Sequence, residues 1–339
     1  MASFVVLFSF VGYRYALETI IPPSLWFVNP GGERILKIVL ITKNELPLLK
    51  SWVLHHGSIF GFDNLHILDS SDDAAVLKVL EDARKLGVDV VTQSANLNEL
   101  ESQINEKMEK IKARCDFMIK LDTDELLALY DPHTMTFQVD RKSIFDYLAT
   151  LPFDGDMYKV GWIASSVVEQ DKCKDDDDVF RTTTKFTPFV ETLQKTFFNS
   201  RSYRHVDLGS HIGWLHPALE NRPKWSQYRI TRLAIFHFHS QCFHRVVENN
   251  LRAILSHGYL DGKESKEIAI KKLGAILGPD YPSKCSVLSC HKVYDYMSYL
   301  MDHEIQEKSY YEKYGPTSTQ IETKLLKQYI ESVEKNYTH

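Results

Sequence analysis

"ILKIVLITKNELPLLKSWVLHHGSIFG", residues 35–61, decides how the rest of the chain is read. Its opening run, ILKIVLIT, is apolar and rich in β-branched residues, which suits a buried strand. From Glu45 to Gly61 apolar residues recur at helical spacing. The pattern then repeats. NLHILDSSDD (64–73) reads as a strand ending in acidic and hydroxyl residues, and AAVLKVLEDARKLG (74–87) as a helix. VDVVTQ (88–93) is a strand, LNELESQINEKMEKIKAR (97–114) a strongly charged helix, and DFMIKL (116–121) a fourth strand. This alternation predicts an α/β domain whose mostly parallel sheet carries helices on both faces, a Rossmann-type arrangement.

In such sheets ligands bind at the carboxyl ends of the strands. Three polar clusters stand there: Thr42-Lys43-Asn44-Glu45, Asp69-Ser70-Ser71-Asp72-Asp73 and Asp122-Thr123-Asp124-Glu125. They are expected to converge on one rim. Past residue 130 the alternation breaks down. RKSIFDYLATL (141–151) reads as a helix, and DMYKVGWIASSVV (156–168), TLQKTFFNS (192–200) and RLAIFHFHS (232–240) as strands. HRVVENNLRAILSHG (244–258) is helical, and the remainder is mostly helical and charged. The expected division is a short apolar segment at 1–33, one α/β domain at 34–250 and a helical extension at 251–339.

With 44% hydrophobic residues, the chain of 339 can bury a sizeable core. Forty basic against 45 acidic residues give a formal charge of -5, so no global attraction for nucleic acid or an anionic membrane is expected. Any phosphate must be held by a local cluster. The five cysteines are odd in number and lack CxxC spacing, which favours free thiols in a reducing compartment. A local Cys285–Cys290 bridge is the alternative for a secreted chain. The uncharged stretch Phe4 to Tyr13 is about half of what a spanning helix needs. Packing on the domain is therefore expected of it, with a short membrane anchor as the alternative, and localisation stays open between cytoplasmic and membrane-associated.

The fourth strand ends in Asp122-Thr123-Asp124-Glu125. Alternate residues of an extended chain share a face, so Asp122 and Asp124 point to one side. Two close carboxylates repel each other unless a cation lies between them, and Mg2+ or Mn2+ completes its shell with water and phosphate oxygens. The structural alternative is an acidic turn capping a helix that starts near Glu125. Acidic and hydroxyl residues at two neighbouring strand ends favour the cation.

These residues carry a resemblance. KNELPLLKSWVLHHGSIFGFDNLHILDSSDD, followed about fifty residues later by FMIKLDTDELL, resembles the family 2-like glycosyltransferases of GT-A fold. The likeness is greatest to the subgroup that includes family 92, marked by Lys-Asn-Glu, a Trp with His-His-Gly, and Asp-Thr-Asp-Glu. The resemblance implies transfer of a sugar from a nucleotide-diphosphate donor, a UDP- or GDP-sugar, to a hydroxyl of a glycan or glycoconjugate. Thr42, Lys43, Asn44 and Glu45 would lie beside the nucleoside, and Asp69 would take part in base or ribose recognition. Asp122 would contact the ribose, or the metal through water, and Asp124 would bind the metal directly.

The subgroup's order of a Lys, an Arg and a His is matched by Lys195, Arg201 and His211, which would approach the diphosphate or the acceptor. In IFHFHSQCFHR (235–245) His237 and His239 share one face of an apolar strand, and imidazole suits a cation already held by carboxylates. His237 is preferred as the metal ligand, with His239 next. The subgroup's Lys before the Ser is missing, because His239 and Ser240 stand there. Trp162 matches an acceptor segment and would stack on a sugar.

An inverting transferase needs a carboxylate to deprotonate the acceptor. Glu169 is the choice, followed by Asp156, from a set that also holds Asp154, Asp171 and Glu191. A retaining enzyme needs no such base, and the stereochemistry is open. Two other functions compete. One is a non-catalytic carbohydrate-binding protein descended from a transferase. The other is an Asp-x-Asp phosphohydrolase with Asp122 as nucleophile, disfavoured by the motif's position after a fourth strand. GxxxxGK, GxGxxG, HExxH and GxSxG patterns are absent from the sequence.

Overall fold

A computed structural model describes residues 32–93, 97–152, 157–164, 185–186, 190–217, 228–238, 242–281, 290–314, 321–322 and 335. The chain alternates as its periodicity predicts. Strand β1 (Leu36–Thr42) leads into helix α1 (Leu46–Phe60), then β2 (Leu65–Asp69), α2 (Ala74–Lys85), β3 (Asp89–Thr92), α3 (Leu97–Ile111) and β4 (Phe117–Leu121). Next come β5 (Glu125–Asp131), β6 (Thr136–Gln138), α4 (Arg141–Thr150), β7 (Met157–Ala164), the short β8 (Lys185–Phe186), β9 (Val190–Asn199), β10 (Tyr203–Val206), β11 (Gly213–Leu215) and β12 (Tyr228–His237). Helices α5 (Phe243–Ser256), α6 (Lys266–Leu277), α7 (Cys290–Met301) and α8 (His303–Tyr314) follow, with β13 (Ile321–Glu322) paired antiparallel to β8.

Nine strands form one sheet in the order β3-β2-β1-β4-β9-β7-β12-β5-β6. Strands β3, β2, β1 and β4 are mutually parallel, as are β7 and β12. Only β9 and β5 run against the rest, each antiparallel to both of its neighbours. The sheet is therefore mostly parallel, and the ends of β1, β2, β4, β7 and β12 face one rim.

Alternation along the strands sorts two cores. Ile38 and Leu40 of β1, with Phe117, Ile119 and Leu121 of β4, join Trp52 and Phe60 of α1, Leu80 of α2 and Leu148 of α4. Val39, Met118 and Phe198 face the other way, against Ile104 and Met108 of α3 and Tyr203 and Leu215 of the β10–β11 hairpin. The capping of α2 is local: the Asp73 carboxylate accepts from Ala75 N at 2.7 Å and from Val76 N at 3.3 Å. Part of the Asp-rich run after β2 is thus structural.

Two expectations change. Glu125 opens a strand, not a helix, so a helix cap does not explain the acidic turn. Cys242 and Cys290 are each disulfide-bonded, which overturns the expected free thiols; Cys115 alone is free among the described cysteines. Cys173 and Cys285 lie outside the described residues, as does nearly all of the apolar segment 1–33. No helix among the described residues is long and apolar enough to cross a membrane.

The helical extension packs a small core of its own from Ile254, Leu260, Leu273, Leu277 and Val293. Helix α5 nevertheless spans the expected boundary at 250, because it runs unbroken from Phe243 to Ser256.

Candidate functional site

The rim is built from loops that fasten one another. Asn44 sits in the left-handed region, φ 55°, which Asn tolerates better than most residues. That conformation lets its amide oxygen accept from Asp72 N at 3.0 Å and Asp73 N at 3.1 Å, while its Nδ2 donates to Asp72 Oδ1 at 2.6 Å. Asn44 thus ties the β1 loop to the β2 loop. Thr42 donates to Glu45 Oε2 at 3.2 Å, and Thr123 donates to the same oxygen, which joins β1 to the turn after β4. Burial pushes the Glu45 carboxyl up, although the Thr123 hydrogen bond and the Arg252 charge oppose it. Asp69 accepts from Ser71 N at 2.9 Å through Oδ1; its Oδ2 is buried with no hydrogen-bond partner among the described residues. Lys43 is exposed at the same edge.

At the tip of β4, Asp122 holds two lysines. Lys120 pairs with Oδ1, and Lys195 Nζ lies 2.5 Å from Oδ2 and 2.6 Å from Glu125 Oε2. By alternation Lys120 follows Met118 on one face, and Lys195 follows Phe197 on the other. Both lysines are buried, at 2% and 0% exposed, whereas Asp122 keeps 41% of its side chain exposed. Burial alone would raise Asp122, yet the two ammonium charges hold it far below the usual carboxylate range. Burial would lower Lys195, and the charges of Asp122 and Glu125 outweigh it, so Lys195 stays above the ordinary lysine value. Glu125 is pushed up by burial in spite of Lys195, and its Oε2 also accepts from Asp122 N at 2.8 Å.

A second group stands beside this one. His237 ends β12, in register with Glu125 of β5 and Ala164 of β7. Its Nε2 lies 3.5 Å from Asp124 Oδ2, and Phe238 N donates to Asp124 O at 2.8 Å. Burial would lower His237, but Asp124 beside it raises it above the ordinary imidazole value. Trp162 of β7 stacks on the His237 ring, centroids 4.5 Å apart and planes 13° from parallel. The ring of His211, at the turn of the β10–β11 hairpin, meets the same indole edge-on at 5.8 Å. Lys159 donates to His211 O at 2.6 Å and to Thr196 Oγ1 at 2.7 Å, which pins that hairpin to the sheet.

The donor chemistry suits a hard divalent ion. Two ligand atoms each about 2.1 Å from one ion stand roughly 3 to 4 Å apart, so a carboxylate oxygen and an imidazole nitrogen at this separation can share it. Among the described residues no group of three or more His, Cys, Asp or Glu side chains is placed to hold one metal ion. The remaining ligands of such an ion must be water or substrate oxygens.

Asp122, Asp124, Lys195, His211 and His237 are therefore brought together, with Thr42, Asn44, Glu45 and Asp69 on the adjoining strand ends. The structure does not bring Arg201 to this rim. Lys195 and Arg201 lie on either side of the end of antiparallel β9, and Asn199 there pairs with Phe117 at the start of β4. Arg201 consequently neighbours Asp116 and Arg34 at the opposite end of the sheet. Glu169 and Asp156, with Asp154, Asp171 and His239, lie outside the described residues, and of Glu191 only the backbone is described.

Three features escaped the sequence reading. Lys120 could have been found as the lone cation inside an apolar strand. Arg252 of α5 donates to Asn44 O at 2.7 Å from a segment assigned to the extension. His55 and His56 sit on α1 under β5: His56 Nδ1 donates to Trp52 O at 3.0 Å and its Nε2 accepts from Leu127 N at 3.2 Å, while His55 Nε2 donates to Leu127 O at 2.8 Å. Strand β6 pairs only with Leu129 to Asp131, so the two rings satisfy the backbone of β5 where no strand does.

No protein-family model and no curated protein matches the chain. Among solved structures it is similar to S. aureus TarS 1–349, with a TM-score of 0.32 at 9% identity over 84% of this chain and 73% of that one. The same protein in complex with UDP gives a TM-score of 0.34 at 10% identity, covering 84% and 76% of the two chains.

Proposed function

We propose that this chain moves a sugar from a nucleoside diphosphate donor, a uridine or guanosine one, to a hydroxyl of a glycan or glycoconjugate, with Mn2+ or Mg2+ as cofactor. The observation that carries the reading is the Asp124–His237 pair at the carboxyl ends of β4 and β12, set beside Asp122 and its two buried lysines. Asp124 and His237 would hold the cation. When bound there, the ion would offset the negative charge that a departing diphosphate develops.

The chain's own residues supply the rest of the reading. Lys195 and Lys120 offer positive charge next to the phosphate position. Asp69, with an unpartnered buried oxygen, fits a donor group of the base or ribose. Asn44 acts by fixing the loop, since its amide is already engaged with Asp72 and Asp73. Trp162 supports the His237 ring, and its stacking there competes with a role as an acceptor platform. Glu169, then Asp156, remains the proposed base of an inverting reaction. Both oxygens of Asp122 lie in ion pairs, which makes it a poor phosphohydrolase nucleophile.

A screen of nucleotide-sugars for Mn2+-dependent donor hydrolysis and transfer tests the reading. Turnover of one donor by the wild type, lost in Asp124→Ala with the fold intact by circular dichroism, is expected. Full turnover by Asp124→Ala at saturating Mn2+ would refute the assignment. Calorimetry with the nucleoside diphosphate, with and without Mn2+, separates an enzyme from a cation-independent binding protein.

A further inference from the structure

The two buried lysines at the acidic tip bear on how a cation would load, an inference that rests on the transferase reading above. Three carboxylates, Asp122, Asp124 and Glu125, meet within four residues of chain, a concentration of charge that by itself would draw a bare divalent ion. Lys120 and Lys195 answer two of those charges from positions with almost no contact with water. The formal charge of the tip is thereby cut from three negatives to one. The carboxylate–imidazole pair there, Asp124 with His237, offers two protein ligand atoms, and among the described residues no group of three or more such side chains is placed to hold one ion. A hard divalent cation needs about six ligands, so two atoms and a weakened field hold it poorly.

A nucleoside diphosphate changes both terms. Its phosphate oxygens complete the shell of the ion, and its negative charge is placed where the lysine charges favour it. We infer that Lys120 and Lys195 suppress binding of the bare cation and so make the cation and the nucleoside diphosphate load together. The coupling is reciprocal: each must tighten the other by the same factor. One unit charge a few ångströms from the ion, at the effective dielectric of a protein surface, is worth at least about tenfold in affinity.

The test is a Mn2+ titration of the full chain followed by electron paramagnetic resonance, with and without saturating UDP or GDP. It is run on the wild type, Lys195→Met, Lys120→Met and Lys195→Arg, each checked for fold by circular dichroism. In the wild type, one nucleotide should tighten Mn2+ at least about tenfold. Each Met variant should bind bare Mn2+ at least about tenfold tighter than the wild type, and Lys195→Arg should match the wild type. Should a Met variant not fold, the wild-type coupling and the remaining variants decide. Equal Mn2+ affinity with and without a nucleotide that does bind overturns this inference alone, as do folded Met variants with unchanged bare-ion affinity. Failure of every variant to bind either Mn2+ or nucleotide overturns the transferase reading and this inference with it.

Discussion

His237 Nε2 stands 3.5 Å from Asp124 Oδ2, and the flat of Trp162 backs the same ring at 4.5 Å. The imidazole is thus held from behind while one nitrogen faces the carboxylate. If this pair seats a cation, removing either ligand should matter far more than its neighbours do. Asp124→Asn and His237→Ala are expected to abolish measurable Mn2+ binding in the presence of UDP or GDP. Trp162→Ala, which removes only the support, should weaken it by about tenfold. Binding unchanged in His237→Ala would remove His237 from the site.

Acid should destabilise the fold through its buried histidines. Burial holds His55 and His66 down at about 4 and His56 well below its ordinary value. The unfolded chain takes up these protons as the pH drops through about 6.5, whereas in the folded chain His55 and His66 resist until about 4. Stability is therefore fully present above that window and is lost as the pH falls through it, by roughly 2 kcal/mol for each of His55 and His66 at pH 5, with His56 acting in the same direction. Urea midpoints measured at pH 7.5 and pH 5 check this; a midpoint that stays level or rises at pH 5 contradicts it.

Gly57 is fixed by a neighbour. A methyl group there would come within 2.2 to 2.8 Å of the Phe62 ring. Gly57→Ala should cost about 1 to 3 kcal/mol as the ring is displaced. The double variant with Phe62→Leu should recover part of that loss in thermal melts, and no recovery would point to another cause.

Disulfide bonding at Cys242 and Cys290 predicts a redox response. Cys242 precedes α5 and Cys290 begins α7, so reduction should loosen the helical extension first. A loss of about 2 to 4 kcal/mol is expected, read as a lower melting temperature in dithiothreitol. Cys115, buried and pushed up to about 12, should resist alkylation until the sheet itself unfolds. Labelling of Cys115 in the native protein would contradict its placement.

How much of this was legible in the sequence differs by region. Residues 35–121 announced themselves because strand and helix periods alternate cleanly; most elements there lie within a residue or two of their pattern, although β2 stops at Asp69 and α3 at Ile111, short of the stretches read for them. The acidic tip was legible for the same reason: a strand of known direction carries its terminal residues to a known rim. Lys120 was hidden by that pattern, since a lysine within an apolar run reads as an interruption until its partner is seen. Arg201 was placed wrongly because β9 runs against its neighbours, and strand direction is not written in residue spacing. The pairing of β5 with β12, which sets His237 against Asp124, joins segments about a hundred residues apart, and no local pattern encodes it.

Arg252 reaches from the middle of α5 to the carbonyl of Asn44, the residue that locks two rim loops together. A shortened form of the protein ending at residue 250 would sever that helix and leave the first loop of the rim without its outer brace. The smallest fragment worth expressing for assays therefore has to carry α5 through Ser256, and the segment that looks like an appendage belongs to the working half of the molecule.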